Sequence, residues 1–239
     1  MHDLHSEGAD DPRAASASLL GQCQRLLENT YGTSVGVNLE DFVVGAGRFR
    51  HLRARTEAGA EEEYGDDARF FYYLSGGDLR MAIFYSAELI QRLETHDPRR
   101  GLGDANVLEF VVFLEELSHA LHTSLAFREN SGRLGRRTFP AELEVQAKID
   151  VFLALVFFLQ RRDRAPLTPA GRRWIELNLF DRWSATYRSP DLARRYALAL
   201  TLGRRAVDWL NGIPADRRVD AVRRLRSLSL AQKRRLLGS

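Results

Sequence analysis

Apolar residues recur at helical spacing along most of the chain, and proline and cap residues divide this pattern into segments. Near the N-terminus an apolar stripe predicts a helix from Ser16 to Tyr31, which Gly32 should end. From residue 104 onward the chain predicts helices that begin at or next to these residues: Asp104, Pro140, Pro169, Pro190, Pro214 and Ser229. The helix from Asp104 should end near Phe127, and the helix from Pro140 near Arg162.

Two runs rich in aromatic and β-branched residues, Arg69–Leu74 and Leu79–Tyr85, flank the turn sequence Ser-Gly-Gly-Asp. Such runs around a Gly-Gly pair predict a β-hairpin, and Ser86 can cap a short helix after it. Residues 35–44 fit either a strand or a helical turn. The predicted fold class is therefore α+β and mainly α-helical, with a small N-terminal β-hairpin or sheet packed on a helical body and a helical C-terminal part.

The composition divides the chain into three predicted segments. Residues 1–15 are polar and acidic, which is typical of a disordered arm. Residues 16–162 should form an α+β domain that carries the candidate site, and residues 163–239 a basic helical C-terminal region. The Gly-, Ala- and Glu-rich stretch Glu57–Asp67 should be a surface loop.

The overall composition is that of a globular protein, with 44% hydrophobic and 28% charged residues. The longest apolar run, Val151–Leu159, is too short to cross a bilayer, so no membrane span is predicted. No secretory signal is visible at the N-terminus. The single cysteine, Cys23, excludes a disulfide framework and fits a reducing compartment, so we expect a cytoplasmic protein.

Positive charge is concentrated towards the C-terminus. Residues 161–239 carry 19 basic and 7 acidic side chains, whereas the preceding residues are acidic overall. This asymmetry indicates either an acidic partner for the basic region or attraction between two parts of one fold, and we favour the second. The arginines form scattered pairs without a glycine and aromatic RNA motif, so a nucleic-acid partner is not expected.

The helix predicted from Asp104 contains the main chemical pattern, Glu115-Glu116-Leu-Ser-His119-Ala-Leu-His122. At about 100° per residue, Glu115, His119 and His122 share one stripe of an otherwise apolar helix. Such a stripe must be solvated, hydrogen-bonded or metal-bound. We expect the apolar side chains around it and on the next helix to form the core: Val107, Phe110, Val111, Leu114, Leu117, Leu121, Leu125, Phe152, Leu155, Val156 and Leu159.

The helix predicted from Pro140 carries two polar lines. Glu142, Gln146 and Asp150 follow one line at i, i+4 and i+8, while Glu144 and Lys148 follow another. If the two helices pack antiparallel, one of the acidic residues on this helix could join Glu115, Glu116 and His119. Carboxylates with an imidazole suit one divalent metal, either Zn²⁺ or alternatively Fe²⁺ or Mn²⁺.

The sequence from Glu115 to His119 resembles the His-Glu-x-x-His zinc helix of gluzincin metallopeptidases, with Glu115 in place of the first histidine. The resemblance implies that Glu115 and His119 are metal ligands, that Glu116 is the general base, and that Glu144 or Glu142 is the later ligand, with Asp150 a further candidate. The stretch beginning at Gln146 is also similar to a Glu-x-x-Ala-Asp-x-Phe-x-Ala pattern of some gluzincins, with Gln146 replacing the glutamate. These two replacements predict a degenerate site.

Three functional hypotheses follow from the residues and the resemblance. The first is a metallopeptidase-like protein with a degenerate metal site that could still hydrolyse a peptide. The second is a non-catalytic interaction or regulatory module, a pseudoenzyme with a peptide or protein partner, in which Glu115 and His119 form an i,i+4 ion pair. The third, a ferritin-like di-iron protein, needs two Glu-x-x-His motifs, whereas only Glu116–His119 is present between Asp104 and Arg162.

Overall fold

The computed structural model describes residues 18–56, 67–163, 165–182 and 190–238. The arm predicted over residues 1–15 and nearly all of the loop predicted over Glu57–Asp67 lie outside this part of the chain. The described residues are mainly helical, with a small three-stranded mixed sheet towards the N-terminus. The predicted fold class is therefore confirmed.

The N-terminal helices are α1, Leu19–Tyr31, and α2, Ala46–Thr56. Helix α1 begins where the Ser18 hydroxyl accepts a hydrogen bond from the Gly21 amide, and it ends at Gly32, whose φ of +63° few other residues tolerate. Helix α2 was not predicted, because its arginine-rich sequence lacks an apolar stripe that would indicate a buried face.

The sheet contains β1, Val43–Val44, β2, Ala68–Ser75, and β3, Asp78–Tyr85, in the order β1-β3-β2. Strands β2 and β3 form the predicted antiparallel hairpin, with Ser75 opposite Asp78. Gly76 and Gly77 both have positive φ, as a tight two-residue hairpin turn requires. Strand β1 pairs in parallel with β3, and a two-residue strand leaves no periodic signal in the sequence.

The remaining elements are α3, Ala87–Thr95; α4, Val107–Asn130; α5, Phe139–Asp163; α6, Pro169–Glu176; α7, Pro190–Asn211; α8, Ala215–Ser227; and α9, Leu230–Leu237. Helix α6 continues into a π-helical turn, Leu177–Asp181. The N-cap of helix α4 is Asn106, two residues after the predicted cap Asp104, and its side chain bonds the preceding loop at Gly103, Gly101 and His96. Every predicted helix from Asp104 onward is present.

Helices α4 and α5 pack against each other at the centre of the core, and α7 packs on the other side of α5. Leu117 and the other predicted core residues of α4 are buried, as are Phe152 and Leu155 of α5, while Val156 and Leu159 are only partly buried. At Gly203 the backbone of α7 approaches α5 so closely that an added Cβ would lie 2.7 Å from the Cβ of Lys148.

The basic C-terminal helices are joined to the acidic N-terminal part by specific contacts. Arg223 donates to the carbonyl of Thr30 at the end of α1, and Arg226 forms an ion pair with Glu129 at 2.7 Å. Within the basic region itself, Arg218 donates to the carbonyl of Leu210 on α7 and to that of Ile213, which follows this helix. The ion pair between Arg226 and Glu129 supports the interpretation of the charge asymmetry as attraction within the fold, and Arg223 adds to it at the C-terminal end of α1, where a cation is favourable. Within the described ranges, no helix has the length and apolarity needed to cross a membrane.

Candidate functional site

Two groups of polar side chains lie between α4 and α5. The first, the acid–base cluster, consists of Glu115, Glu116, His119, Glu144, Lys148 and Arg195. The second, the Asp150 network, consists of Tyr31, Ser118, His122, Gln146, Asp150 and Lys233. The two polar lines of α5 that the sequence predicted are thus both buried, and each contributes to one group.

His119 is the centre of the acid–base cluster. Its Nδ1 lies 3.5 Å from Oε2 of Glu116, and its Nε2 lies 3.5 Å from Oε2 of Glu144. Burial opposes a charge on the ring, but Glu144 and Glu116 outweigh it and raise the pKa of His119 to about 10. Although Glu144 is itself buried, His119 holds the pKa of that carboxyl below its usual value. At neutral pH an imidazolium therefore lies between two carboxylates.

The other charges of this cluster are paired in the same way. The ammonium of Lys148 forms an ion pair with Glu115, and the lysine side chain is only 5% exposed. The guanidinium of Arg195 on α7 lies 3.8 Å from Oε1 of Glu144. Three carboxylates thus face three cations, and this balance allows so many charges to remain at the edge of an apolar core.

The residues of this cluster do not fit a shared divalent ion. Nε2 of His119, which makes no well-aligned hydrogen bond, and Glu144 could each approach one ion. However, Glu116 lies against the opposite ring nitrogen, and Glu115 holds Lys148. Two donors therefore remain where a zinc site takes at least three protein ligands. Ligation by His119 would also have to displace the proton that Glu144 and Glu116 hold on its ring.

In the Asp150 network, one fully buried carboxylate joins three helices. Asp150 Oδ2 accepts hydrogen bonds from Ser118 and His122, each at 2.6 Å, and Oδ1 accepts from Tyr31 and from Gln146. Burial lowers the pKa of His122, so the ring is neutral and donates from Nε2. Burial opposes ionisation of Asp150, but the charge interaction with His122 and the hydrogen bonds from His122, Ser118 and Tyr31 outweigh it and lower the pKa of this carboxyl below its ordinary value.

Helix α9 reaches the same network through Lys233. This side chain is 1% exposed and donates to Oε1 of Gln146 at 2.7 Å. Burial lowers the pKa of Lys233 to about 8. Glu142 lies beside it, held by Arg133 at 2.8 Å, and a cavity of about 20 Å³ between these residues has room for about one water molecule.

The predicted site residues are thus divided between two places. Glu116, His119 and Glu144 lie in contact, and Glu115 belongs to the same cluster but faces Lys148 instead of His119. The other two predicted ligands, Glu142 and Asp150, lie outside this cluster, on the other polar line of α5. Within the described residues, no group of three or more histidine, cysteine or acidic side chains is placed to hold a metal ion.

Sequence reasoning missed the partners that come from distant parts of the chain. Tyr31 and Lys233 reach the α4–α5 pair from near opposite ends of the sequence, and Arg195 reaches it from α7. No local pattern marks them as polar partners, since each lies on a helix with an ordinary amphipathic stripe. The one available signal was the presence of Lys148 among the acids of α5, which indicates a nearby carboxylate.

Comparison of the chain with protein-family models, with curated proteins and with solved structures finds no match.

Proposed function

We propose that this protein is a non-catalytic binding module, in which side-chain cations take the place that a divalent metal has in the metallopeptidases it resembles. The observation that carries the proposal is the ion pair between Lys148 and Glu115. Glu115 stands at the position of the first metal-binding histidine of the His-Glu-x-x-His pattern. A lysine ammonium on this carboxylate supplies the positive charge that a metal would otherwise supply.

The protonation of the cluster also supports a non-catalytic role. A general base must accept a proton near neutral pH, whereas His119 already carries one up to a pH of about 10. Glu116, the residue that the resemblance assigns as general base, is in contact with this imidazolium. Neither side chain is therefore arranged to activate a water molecule at neutral pH.

A peptide or protein partner remains part of this proposal. Arg217 and Arg224 are exposed on α8, where they could meet an acidic partner, whereas Arg218, Arg223 and Arg226 are used within the fold. The buried, unpaired Cys23 supports a cytoplasmic location for this module.

Metal binding by two proteins tests the proposal: the natural chain and the double variant Glu115→His, Lys148→Ala. The natural chain, purified without a histidine tag, should bind no zinc at pH 7, and neither zinc nor a chelator should change its Tm. The double variant restores the His-Glu-x-x-His pattern and removes the competing ammonium, so it should gain zinc affinity and a zinc-dependent rise in Tm.

A different result would contradict the proposal. If the natural protein holds about one equivalent of zinc, iron or manganese, and His119→Ala abolishes this binding, the cations do not replace a metal. Peptide hydrolysis that Glu116→Gln abolishes without a change in Tm would equally establish a catalytic role. If neither the natural chain nor the double variant binds zinc, the resemblance to the metallopeptidases does not extend to the geometry of the ligands.

A further inference from the structure

A cavity of about 360 Å³ lies outside both polar groups, between α1, β1, α3 and the start of α4. Its size falls within the range of small-molecule sites. Its deepest walls are apolar and buried, and they are formed by Leu20, Tyr85, Leu93 and Phe113. The partly buried side chain of Ile90 lines the cavity closer to solvent.

The floor of this cavity is aromatic, and its polar atoms are already used. The rings of Tyr85 and Phe113 stack with their centroids 4.7 Å apart. The hydroxyl of Tyr85 donates to the carbonyl of Phe113 at 3.0 Å. A bound molecule would therefore meet an apolar surface that is fixed in place by a hydrogen bond and by stacking.

The rim of the cavity is negatively charged. It carries the carboxylates of Glu40, Glu94 and Asp97 and the guanidinium of Arg99. Arg99 forms an ion pair with Asp97 at 2.7 Å, which neutralises one of the three carboxylates. Glu94 is exposed and forms no ion pair within the described ranges, so it can meet a cation that enters from solvent. An apolar floor and an acidic rim together select for one kind of ligand.

We propose that this cavity binds a small organic cation with an apolar body, such as an arylalkylammonium ion. The apolar body would lie on Tyr85 and Phe113, where its apolar surface is removed from water. The ammonium group would lie at the rim beside Glu94 and Glu40, partly desolvated and next to unneutralised negative charge. An anionic ligand of the same shape would be repelled there. This inference does not depend on the proposed function of the acid–base cluster.

A matched series of ligands tests the charge preference on the full chain. The three compounds are 4-phenylbutylamine, which is a cation at pH 7, 4-phenylbutanol and 4-phenylbutanoate, with affinities measured by titration calorimetry or ligand-observed NMR. The amine should bind best, the alcohol more weakly and the carboxylate weakest, with about a tenfold difference between the two charged compounds. The affinity for the amine should fall as salt is added.

Variants on α3 locate the site. Glu94→Lys reverses a charge at the rim and should weaken amine binding about tenfold, whereas Glu88→Lys, an exposed position on the same helix away from the cavity, should not. Ile90→Trp should fill the cavity and abolish binding of the amine and the alcohol alike. The Tm of each variant is measured in parallel, and the two exposed glutamate positions decide the question even if Ile90→Trp does not fold.

Three outcomes would overturn the proposal. The first is absence of amine binding at millimolar concentration, and the second is equal binding of all three compounds. The third is an equal effect of Glu94→Lys and Glu88→Lys, since the amine would then respond to net charge and not to this cavity.

Discussion

Nε2 of His122 on α4 donates a hydrogen bond of 2.6 Å to Oδ2 of Asp150 on α5. Both side chains are almost completely buried, and the same carboxylate also accepts hydrogen bonds from Ser118 and Tyr31. A buried carboxylate is tolerated when donors replace the water it has lost. Asp150 therefore holds α1, α4 and α5 in one arrangement, which is a structural role and needs no metal ion.

The first prediction concerns this carboxylate. Asp150→Asn keeps the shape of the side chain but replaces one acceptor oxygen by an amide that can only donate. At least one of the donors Ser118, His122 and Tyr31 then loses its partner, and the free energy of unfolding should fall by roughly 2–5 kcal/mol. Urea denaturation followed by circular dichroism measures this loss. Asp220→Asn, at an exposed position on α8, is the control and should have little effect; equal losses in the two variants would show that the network is not cooperative.

The helices and the hairpin could be predicted from sequence because their signals are local. Thr168 caps α6 by accepting from the Gly171 amide, and Ser229 with Gln232 forms a capping box at α9. The turn at Gly76 and Gly77 has the positive φ values that such a pair predicts. Each signal involves residues within one turn of each other, so it can be recognised before the chain is folded.

The pairing within the site could be predicted only in part. The sequence pattern places Glu115, His119 and His122 on one stripe about 60° wide. In the structure, this width is enough for His119 to contact Glu144 while His122 contacts Asp150. The predicted ion pair between Glu115 and His119 is replaced by one between Glu115 and Lys148, a cation on the facing helix. Which of several side chains on one stripe meets which partner depends on the rotation of both helices, and hydrophobic periodicity does not define that rotation to one residue.

The second prediction concerns the pH dependence that His119 introduces. Its pKa is about 10 in the folded protein and near 6.5 when unfolded. Its contribution to stability is therefore fully present below about pH 6.5 and is lost as the pH rises towards 10. The stability difference between the natural chain and His119→Gln should accordingly be largest near pH 6 and shrink steadily up to pH 10.

The titration of the His119 ring can be followed directly by NMR through its carbon-bound protons. A midpoint well above 8 is expected, and the midpoint should fall in Glu144→Gln, because Glu144 makes the largest favourable contribution to the charged form. A midpoint near the ordinary histidine value in the natural chain would contradict the arrangement of His119 between two carboxylates.

The third prediction concerns Lys233, whose effect on the pH dependence of stability is opposite in sign to that of His119. Burial lowers its pKa from the ordinary value to about 8. The unfolded chain therefore binds this proton more tightly than the folded protein, and the resulting destabilisation grows as the pH falls from about 10.5 to 8. Lys233→Met keeps most of the buried volume and removes the charge. The stability of this variant relative to the natural chain should therefore be more favourable at pH 7 than at pH 10.

Urea denaturation of Lys233→Met and of the natural chain at both pH values measures this difference. Lys233→Met also removes the hydrogen bond to Gln146, which the charged amine donates more strongly at pH 7 than the neutral amine does at pH 10, so this loss works against the expected difference. Arg235→Met, an exposed position on the same helix, should show no such change with pH. If both variants respond alike, the amine of Lys233 titrates as an exposed lysine does.

The last prediction concerns the close approach of α7 to α5 at Gly203. A Cβ at this position would lie 2.7 Å from the Cβ of Lys148, closer than two carbon atoms can pack. Gly203→Leu should therefore separate the two helices and lower the free energy of unfolding by roughly 3 kcal/mol or more, although leucine is the better helix former. Ala197→Leu, on the exposed face of the same helix, adds a similar side chain without this clash and should be nearly neutral.

Gly203 contacts Lys148, the residue that pairs with Glu115, so Gly203→Leu should also weaken the dependence of stability on Lys148. A double-mutant cycle of Gly203→Leu with Lys148→Met measures this coupling. Additive effects in that cycle would show that the ion pair is not maintained by the position of α7.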